Sequence, residues 1–340
     1  MTSSREINLG VDLAPENHHH LRLSNPIMIA SGTFGYDGYG RGVSPDMDLS
    51  RLGAVIPKTV TRWPREGNPE PRWYPASYRQ AVEAGECVFL NSIGLTNPGI
   101  DAAMTQLAPR WSTWEATVIL SLAAESATQF GEMAAITRGV GGFQALELNL
   151  SCPNIENGAF FSHHAALTAD AVGAVRENTD LPVLVKLAPN VPDITEIAQA
   201  AVDAGADALT ISNTIPAMAI DIDARKPVLG GVTGGLSGPG LRAIALALVY
   251  RTVQAVDVPI IGVGGIFNGR HALEYIMAGA TAVQIGSANL ADLWTPFRVV
   301  EEIKTYLGES GVRDISELIG AAQALAPATI TYPWAESPTV

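Results

Sequence analysis

Reactive and polar residues recur at one kind of place in this 340-residue chain, directly after short apolar runs. Ser31-Gly32 follows Ile27-Met28-Ile29-Ala30, Lys58-Thr59 lies just past Ala54-Val55-Ile56, and Ser121 follows Thr117-Val118-Ile119-Leu120. Asn149-Leu150-Ser151-Cys152 follows Ala145-Leu146-Glu147-Leu148, and Lys186 follows Val183-Leu184-Val185. Ser212-Asn213-Thr214 follows Ala208-Leu209-Thr210-Ile211, Gly264-Gly265 follows Ile260-Ile261-Gly262-Val263, and Gly286-Ser287 follows Ala282-Val283-Gln284-Ile285. A lysine that closes a buried apolar run is costly unless it meets an anion, so Lys58 and Lys186 together point to a negatively charged ligand. The paired glycines let backbone N–H groups approach a phosphate closely. Cys152 stands just past a run and before Pro153, where a thiolate of lowered pKa could act as nucleophile or base. Position alone serves a packed cysteine equally well. Cys87 lies outside the pattern and reads as a packed thiol.

Eight such runs alternate with helical patterns. Continuous apolar strands separated by helices are what a parallel sheet covered on both faces requires, and eight units predict a (β/α)8 TIM barrel. In that architecture the strand C-termini gather on one rim, which brings the polar residues together. The structural competitor is a doubly wound sheet. It would carry a dinucleotide glycine motif near its first strand, and none is present. Gly262 to Phe267 imitates that motif only superficially, and Gly234-Gly235-Leu236-Ser237-Gly238 lacks the Gly-Lys-Ser/Thr of a P-loop. A mononucleotide therefore suits the glycines better than a dinucleotide. The expected organisation is one domain: a barrel over 26–309, an N-terminal segment 1–25 packing on it, an insertion at 59–116, and a long loop at 213–238. A C-terminal helix near Ile315 to Leu325 and a tail make up 310–340. Helices are expected over Ile194 to Ala204, closed by Gly205, and over Gly269 to Met277, capped by Asn268.

Composition narrows the functions available. Lys+Arg number 21 against 34 Asp+Glu, a net charge of −13, which argues against a nucleic-acid partner. Hydrophobic residues make up 47% of the chain and charged ones 16%, enough for a large core. Cys87 and Cys152 are the two cysteines; they cannot build a disulfide framework or hold a four-cysteine iron–sulfur cluster. No apolar stretch has the length of a signal peptide or a membrane span, so a cytoplasmic location is expected and no membrane partner. His18-His19-His20 reads as a solvated loop rather than a metal site, since three consecutive side chains cannot converge. His163-His164 could gate a substrate or simply lie on the surface. Trp63, Trp73 and Tyr74 could mark an interface or pack locally.

Several of these segments together resemble the class 1 dihydroorotate dehydrogenases, along nearly the whole chain. The resemblance rests on Asn25-Pro26 with Ala30 to Gly35, Lys58-Thr59-Val60-Thr61, Gly67-Asn68-Pro69-Glu70-Pro71-Arg72, and Asn91 to Leu95 with Asn97-Pro98-Gly99. It continues through Asn149 to Asn154, Val185-Lys186-Leu187, Asn213-Thr214, Gly234 to Pro239 and Gly262 to Gly265. The Gly-Asn-Pro-x-Pro-Arg and Gly-Gly-Leu-Ser-Gly-Pro stretches look most like the NAD-linked (1B) branch.

The resemblance implies a barrel that binds flavin mononucleotide (FMN) and oxidises (S)-dihydroorotate to orotate in pyrimidine synthesis, with Cys152 as the base. It assigns the substrate to Lys58, Asn91, Ile93, Gly94, Leu95, Asn149, Asn213 and Thr214. It assigns FMN to Ser31, Lys58, Thr59, Asn149, Lys186, Ser212, Gly238, Gly264, Gly265, Gly286 and Ser287, with no metal. It also implies a homodimer joined to an electron-transfer subunit carrying FAD and an iron–sulfur cluster, a heterotetramer in all. A fumarate-linked enzyme and a related FMN dihydropyrimidine dehydrogenase are the alternatives. The sequence departs from the family at Ser121, where an asparagine is usual, at Ser212, usually aliphatic, and in a longer segment from Trp73 to Val88.

Overall fold

The computed structural model describes residues 7–38, 46–150 and 160–323. β1 (Val11–Asp12) and β2 (Arg22–Leu23) form an antiparallel hairpin. β3 (Ile27–Ile29) and β4 (Ala54–Val55) open the main sheet, and β5 (Trp73–Tyr74) and β6 (Phe89–Asn91) lie in the insertion that follows. β7 (Ile119–Leu122), β8 (Ala145–Asn149), β9 (Val183–Lys186) and β10 (Ala208–Ile211) return to the main sheet. An excursion then forms β11 (Ile215–Ala217), β12 (Ile220–Asp221), β13 (Lys226–Pro227) and β14 (Gly234–Ser237). β15 (Ile260–Val263) and β16 (Ala282–Ile285) complete the eight. The main sheet runs β4-β3-β16-β15-β10-β9-β8-β7, parallel throughout. Parallel bridges Val55–Val118 and Val60–Leu122 join its two ends, so the sheet closes into the expected (β/α)8 barrel.

Both faces of these strands are buried, which is why the runs read as continuously apolar. Side chains alternate at period two. Ile27, Ile29, Leu146, Leu148, Val183, Val185 and Leu209 pack outward into the large core under the helices. Met28, Ile119, Leu184 and Ile261 belong to a second apolar cluster with Ala54, Ala145, Ala208 and Ala282. The large residues come from the first, third, fifth and seventh barrel strands, and the alanines from the strands between. Alternate strands supply alternate layers of a barrel interior, so the alanines leave room for their larger neighbours. Leu13, Ala14, Leu21 and Leu23 join the same cluster, so the N-terminal hairpin plugs the end of the barrel where the strands begin. The hairpin is tied at Asp12. Burial raises its pKa, but N–H donors from Ala14 and Leu21 and contacts with His20 and Arg22 outweigh that and leave it below its ordinary value of 3.8. His20 contacts Asp12 at 2.9 Å while its side chain stays partly exposed.

Two local expectations shift. The third barrel strand, Ile119–Leu122, runs two residues beyond the apolar run, because Ser121 and Leu122 continue the parallel pairing with Glu147 and Leu148. Ser121 consequently lies inside a strand and not past its end. The helix expected near Ile315 to Leu325 is a short 3₁₀ turn, Ile315–Leu318, behind an Asp314–Glu317 capping box. It stops because Ile319 turns extended and Gly320 is left-handed at φ +74°. The helices Ile194–Asp203 and Gly269–Met277 form as the spacing predicts, capped by Asp193 and Asn268. Cys87 is exposed and not packed.

Candidate active site

One inward position further along the strands, two residues on, the barrel interior turns polar. Above the alanines the next layer is Ile56, Glu147, Thr210 and Gln284, all fully buried. The layer beyond brings Ala30, Ser121, Lys186 and Val263, and the last brings Lys58, Asn149, Ser212 and Gly286. The Ile211–Ser212 peptide, at the end of β10, is cis. Above this floor lies a cavity of about 360 Å³. Its walls come from a four-stranded antiparallel sheet, β11-β14-β6-β5, that unites the insertion after the second barrel strand with the excursion after the sixth. That sheet supplies Trp73, Asn91, Gly234 and Gly235, and Thr214 precedes it.

Hydrogen bonds fix the polar side chains. Ser31 Oγ, Thr59 Oγ1 and Ser121 Oγ form a chain of hydroxyls with steps of 2.9 Å across three strands. Asn213 Nδ2 donates to Asn149 Oδ1 at 3.3 Å, and its own Oδ1 accepts from Thr214 N–H at 2.8 Å. Asn91 Nδ2 donates to Gly235 O at 3.3 Å. Lys186 Nζ donates to Gln284 Oε1 at 3.3 Å. Burial pushes the Tyr78 phenol above its usual range, and the hydroxyl remains a neutral donor to Leu90 O. Near the ends of the last two barrel strands the backbone crowds together. Gly265 has φ +65°, and a Cβ there would stand 2.8 Å from Arg242 N and 3.0 Å from Gly238 O. Gly238 N–H in turn donates to Ser287 Oγ at 3.2 Å.

The cavity gathers nearly every residue singled out in the sequence. Ser31, Lys58, Thr59, Asn91, Ile93, Gly94, Leu95, Asn149, Lys186, Ser212, Asn213, Thr214, Gly264, Gly265, Gly286 and Ser287 all line it. Gly238 does not, though it braces Ser287 from behind. Cys152 lies outside the described residues. His163 lines the cavity and stacks on Phe160 at 4.8 Å, whereas Trp63 sits on the surface under Arg62. Among the described residues no His, Cys, Asp and Glu side chains cluster as a metal ion would need.

The family model for dihydroorotate dehydrogenase matches residues 14–307. The chain belongs to that family. Dihydroorotate dehydrogenases are flavin-dependent oxidoreductases, and this chain is an enzyme of that kind. Its curated relatives are similar over almost their whole length. It is 46% identical over 303 residues to the dihydroorotate dehydrogenase B (NAD(+)) catalytic subunit of Desulforudis audaxviator, covering 89% of this chain and 95% of the relative. The subunit of that name from Desulforamulus reducens is 43% identical over 93% of this chain and 99% of its own. The one from Geobacter sulfurreducens is 43% identical over 89% and 96%.

The donor set suits a flavin. A glycine turn that a single Cβ would fill, a buried lysine and several carboxamides offer donors to a phosphate and to a ring of amide-like edges. Glu147 also lines the cavity, and its buried Oε1 has no hydrogen-bond partner among the described residues. Reasoning from strand ends missed Glu147 because it sits inside a run, two residues before the end of β8. Its signal was a lone carboxylate among apolar neighbours. Asn68, Trp73 and Tyr78 also line the cavity and were missed as site residues, since they arrive on the insertion.

Proposed function

We propose that this chain is the catalytic subunit of an NAD-linked enzyme that oxidises (S)-dihydroorotate to orotate in pyrimidine synthesis and binds FMN. The observation that carries this reading is the convergence of Lys58, Lys186 and the carboxamides of Asn91, Asn149 and Asn213 on one cavity beside the glycine turn. Orotate presents a carboxylate and a ring of amide donors and acceptors. Lys58 can pair with the first, and the asparagines, which offer both donor and acceptor, can match the second. Ile93, Gly94, Leu95 and Thr214 complete the substrate wall. Gly264, Gly265, Gly286 and Ser287 would hold the FMN phosphate, with Gly238 steadying Ser287. Ser31, Lys58, Thr59, Asn149, Lys186 and Ser212 would hold the remainder of FMN. FMN, when bound, would supply the acceptor for the hydride from C6 of the substrate. Cys152, three residues past Asn149, takes the proton from C5 on its Sγ. The Lys186 ammonium counters the negative charge that a flavin gains on reduction.

The electrons then have to leave, and two cysteines cannot hold an iron–sulfur cluster. A separate subunit carrying FAD and such a cluster, docked on a homodimer of this chain in the cytoplasm, would pass them to NAD⁺. Among the described residues no helix is long and apolar enough to cross a membrane. Steady-state turnover tests the reading. Purified chain should carry FMN and oxidise dihydroorotate but not dihydrouracil, which lacks the carboxylate for Lys58. It should reduce NAD⁺ at full rate only with the partner subunit present. Full-rate NAD⁺ reduction by the chain alone would refute the partner, and preference for fumarate would move the chain to the other branch.

A further inference from the structure

The layer at the base of the cavity is unusual for a barrel interior, where bulky apolar residues dominate. Of Ile56, Glu147, Thr210 and Gln284, three are polar, and Glu147 is buried completely. A carboxylate in such a place is costly unless it is paired and hydrogen-bonded. Gln284 Nε2 donates to Glu147 Oε2 at 2.6 Å, and Thr210 Oγ1 donates to the same oxygen at 3.2 Å. The other face of the Gln284 amide accepts from Lys186 Nζ at 3.3 Å. A lysine ammonium only donates and a carboxylate only accepts, so the amide between them is held one way round. The order carboxylate, amide, ammonium climbs from the polar layer to the cavity wall. At its carboxylate end, Glu147 Oε1 has no hydrogen-bond partner among the described residues.

We propose that Glu147 is a positioning residue that acts through Gln284 to hold the Lys186 ammonium at the cavity, and that its charge sets how readily the flavin bound there is reduced. The inference rests on the FMN reading above. A fixed cation favours the reduced, more negative flavin. A carboxylate one layer below opposes that effect while anchoring the amide that keeps the cation in place. The two contributions have opposite signs and can be separated. Glu147→Gln keeps an acceptor for Gln284 and Thr210 but removes the negative charge. Gln284→Met keeps both charges, matches the length of the side chain and cuts the link.

The test is the reduction potential of bound FMN, measured by equilibration with a reference dye in the full-length holoprotein, with FMN occupancy recorded beside it. Glu147→Gln should favour reduction by on the order of tenfold in the two-electron equilibrium, about 30 mV upward. Gln284→Met should disfavour it by a similar factor, because the ammonium is no longer held. If the polar layer only stabilises the fold, both variants lower thermal stability and leave the potential where it was, and the proposal is overturned. FMN-loaded variants that shift in the same direction overturn it too. If Glu147→Gln does not fold, the sign of the Gln284→Met shift decides alone. Wild-type protein that fails to bind FMN would overturn the cofactor reading and this one with it. FMN bound normally with an unmoved potential overturns this one only.

Discussion

Gly265→Ala measures the glycine turn directly. At φ +65° an alanine sits in the left-handed region, which costs about 1–2 kcal/mol. Its Cβ would also stand 2.7 Å from Arg242 Cβ, 2.8 Å from Arg242 N and 3.0 Å from Gly238 O. Two of those are backbone atoms, at the start of the helix Arg242–Val253 and on the strap that braces Ser287, so no flexible side chain can give way. Forcing such a contact costs a further ~1–3 kcal/mol. The total, about 2–5 kcal/mol, can appear as lost stability or as a turn displaced into the cavity at the expense of FMN, with roughly 1.4 kcal/mol for each tenfold in affinity. Denaturation of the FMN-free protein and an FMN fluorescence titration together should recover the sum. Gly311→Ala is the control: φ is +73°, and nothing lies within 4 Å of the added carbon, so only the left-handed cost should appear, with FMN affinity intact. A Gly265→Ala protein with wild-type stability and wild-type FMN affinity would refute the reasoning.

Other outcomes follow from the same structure. Leu13→Ala, in the hairpin that plugs the barrel, should destabilise by about 3–4 kcal/mol in chemical denaturation while leaving kcat untouched; a loss under 1 kcal/mol would mean that the hairpin does not seal the interior. Cys152→Ala should retain FMN and lose turnover by ~10²–10⁴-fold, the usual contribution of a general base, and unchanged turnover would remove the residue from the mechanism. Burial and the nearby Arg242 hold His271 below its ordinary pKa of 6.5, against the pull of Glu274 and Glu302, and its Nδ1 accepts from Phe267 N–H at 3.3 Å. The folded chain therefore binds fewer protons than the unfolded one below pH ~6.5, and stability should fall on acidification through that range. His271→Gln should flatten that part of the pH profile, and an unaltered slope would assign it to other groups.

The architecture was legible because burial on both faces makes the barrel strands continuously apolar and ends each in a polar or glycine residue. The end of the third strand differs by two residues because Ser121 reads as a polar strand end, and only the pairing of Ser121 with Glu147 and of Leu122 with Leu148 shows that the strand runs on. Strand ends pointed to Lys58, Asn149, Lys186 and the glycines. Thr214 was among the strand-end residues too, whereas Asn91 came through family resemblance, since its place depends on a sheet between two loops far apart in sequence. Glu147 and Gln284 escaped altogether. Inside a run, the inward or outward direction of one residue is invisible when both faces are apolar. The large–small alternation of Met28, Ala54, Ile119, Ala145, Leu184, Ala208, Ile261 and Ala282 was written in the sequence, yet it becomes readable only when the strands are aligned in register.

The most direct test of the whole account is an anaerobic single-turnover titration of the FMN-loaded chain with dihydroorotate, following flavin absorbance and orotate together. The account predicts bleaching of the flavin with one orotate formed for each FMN reduced, and no bleaching by dihydrouracil. A flavin that stays oxidised in excess dihydroorotate, or that is reduced equally well by a substrate without the carboxylate, would contradict it.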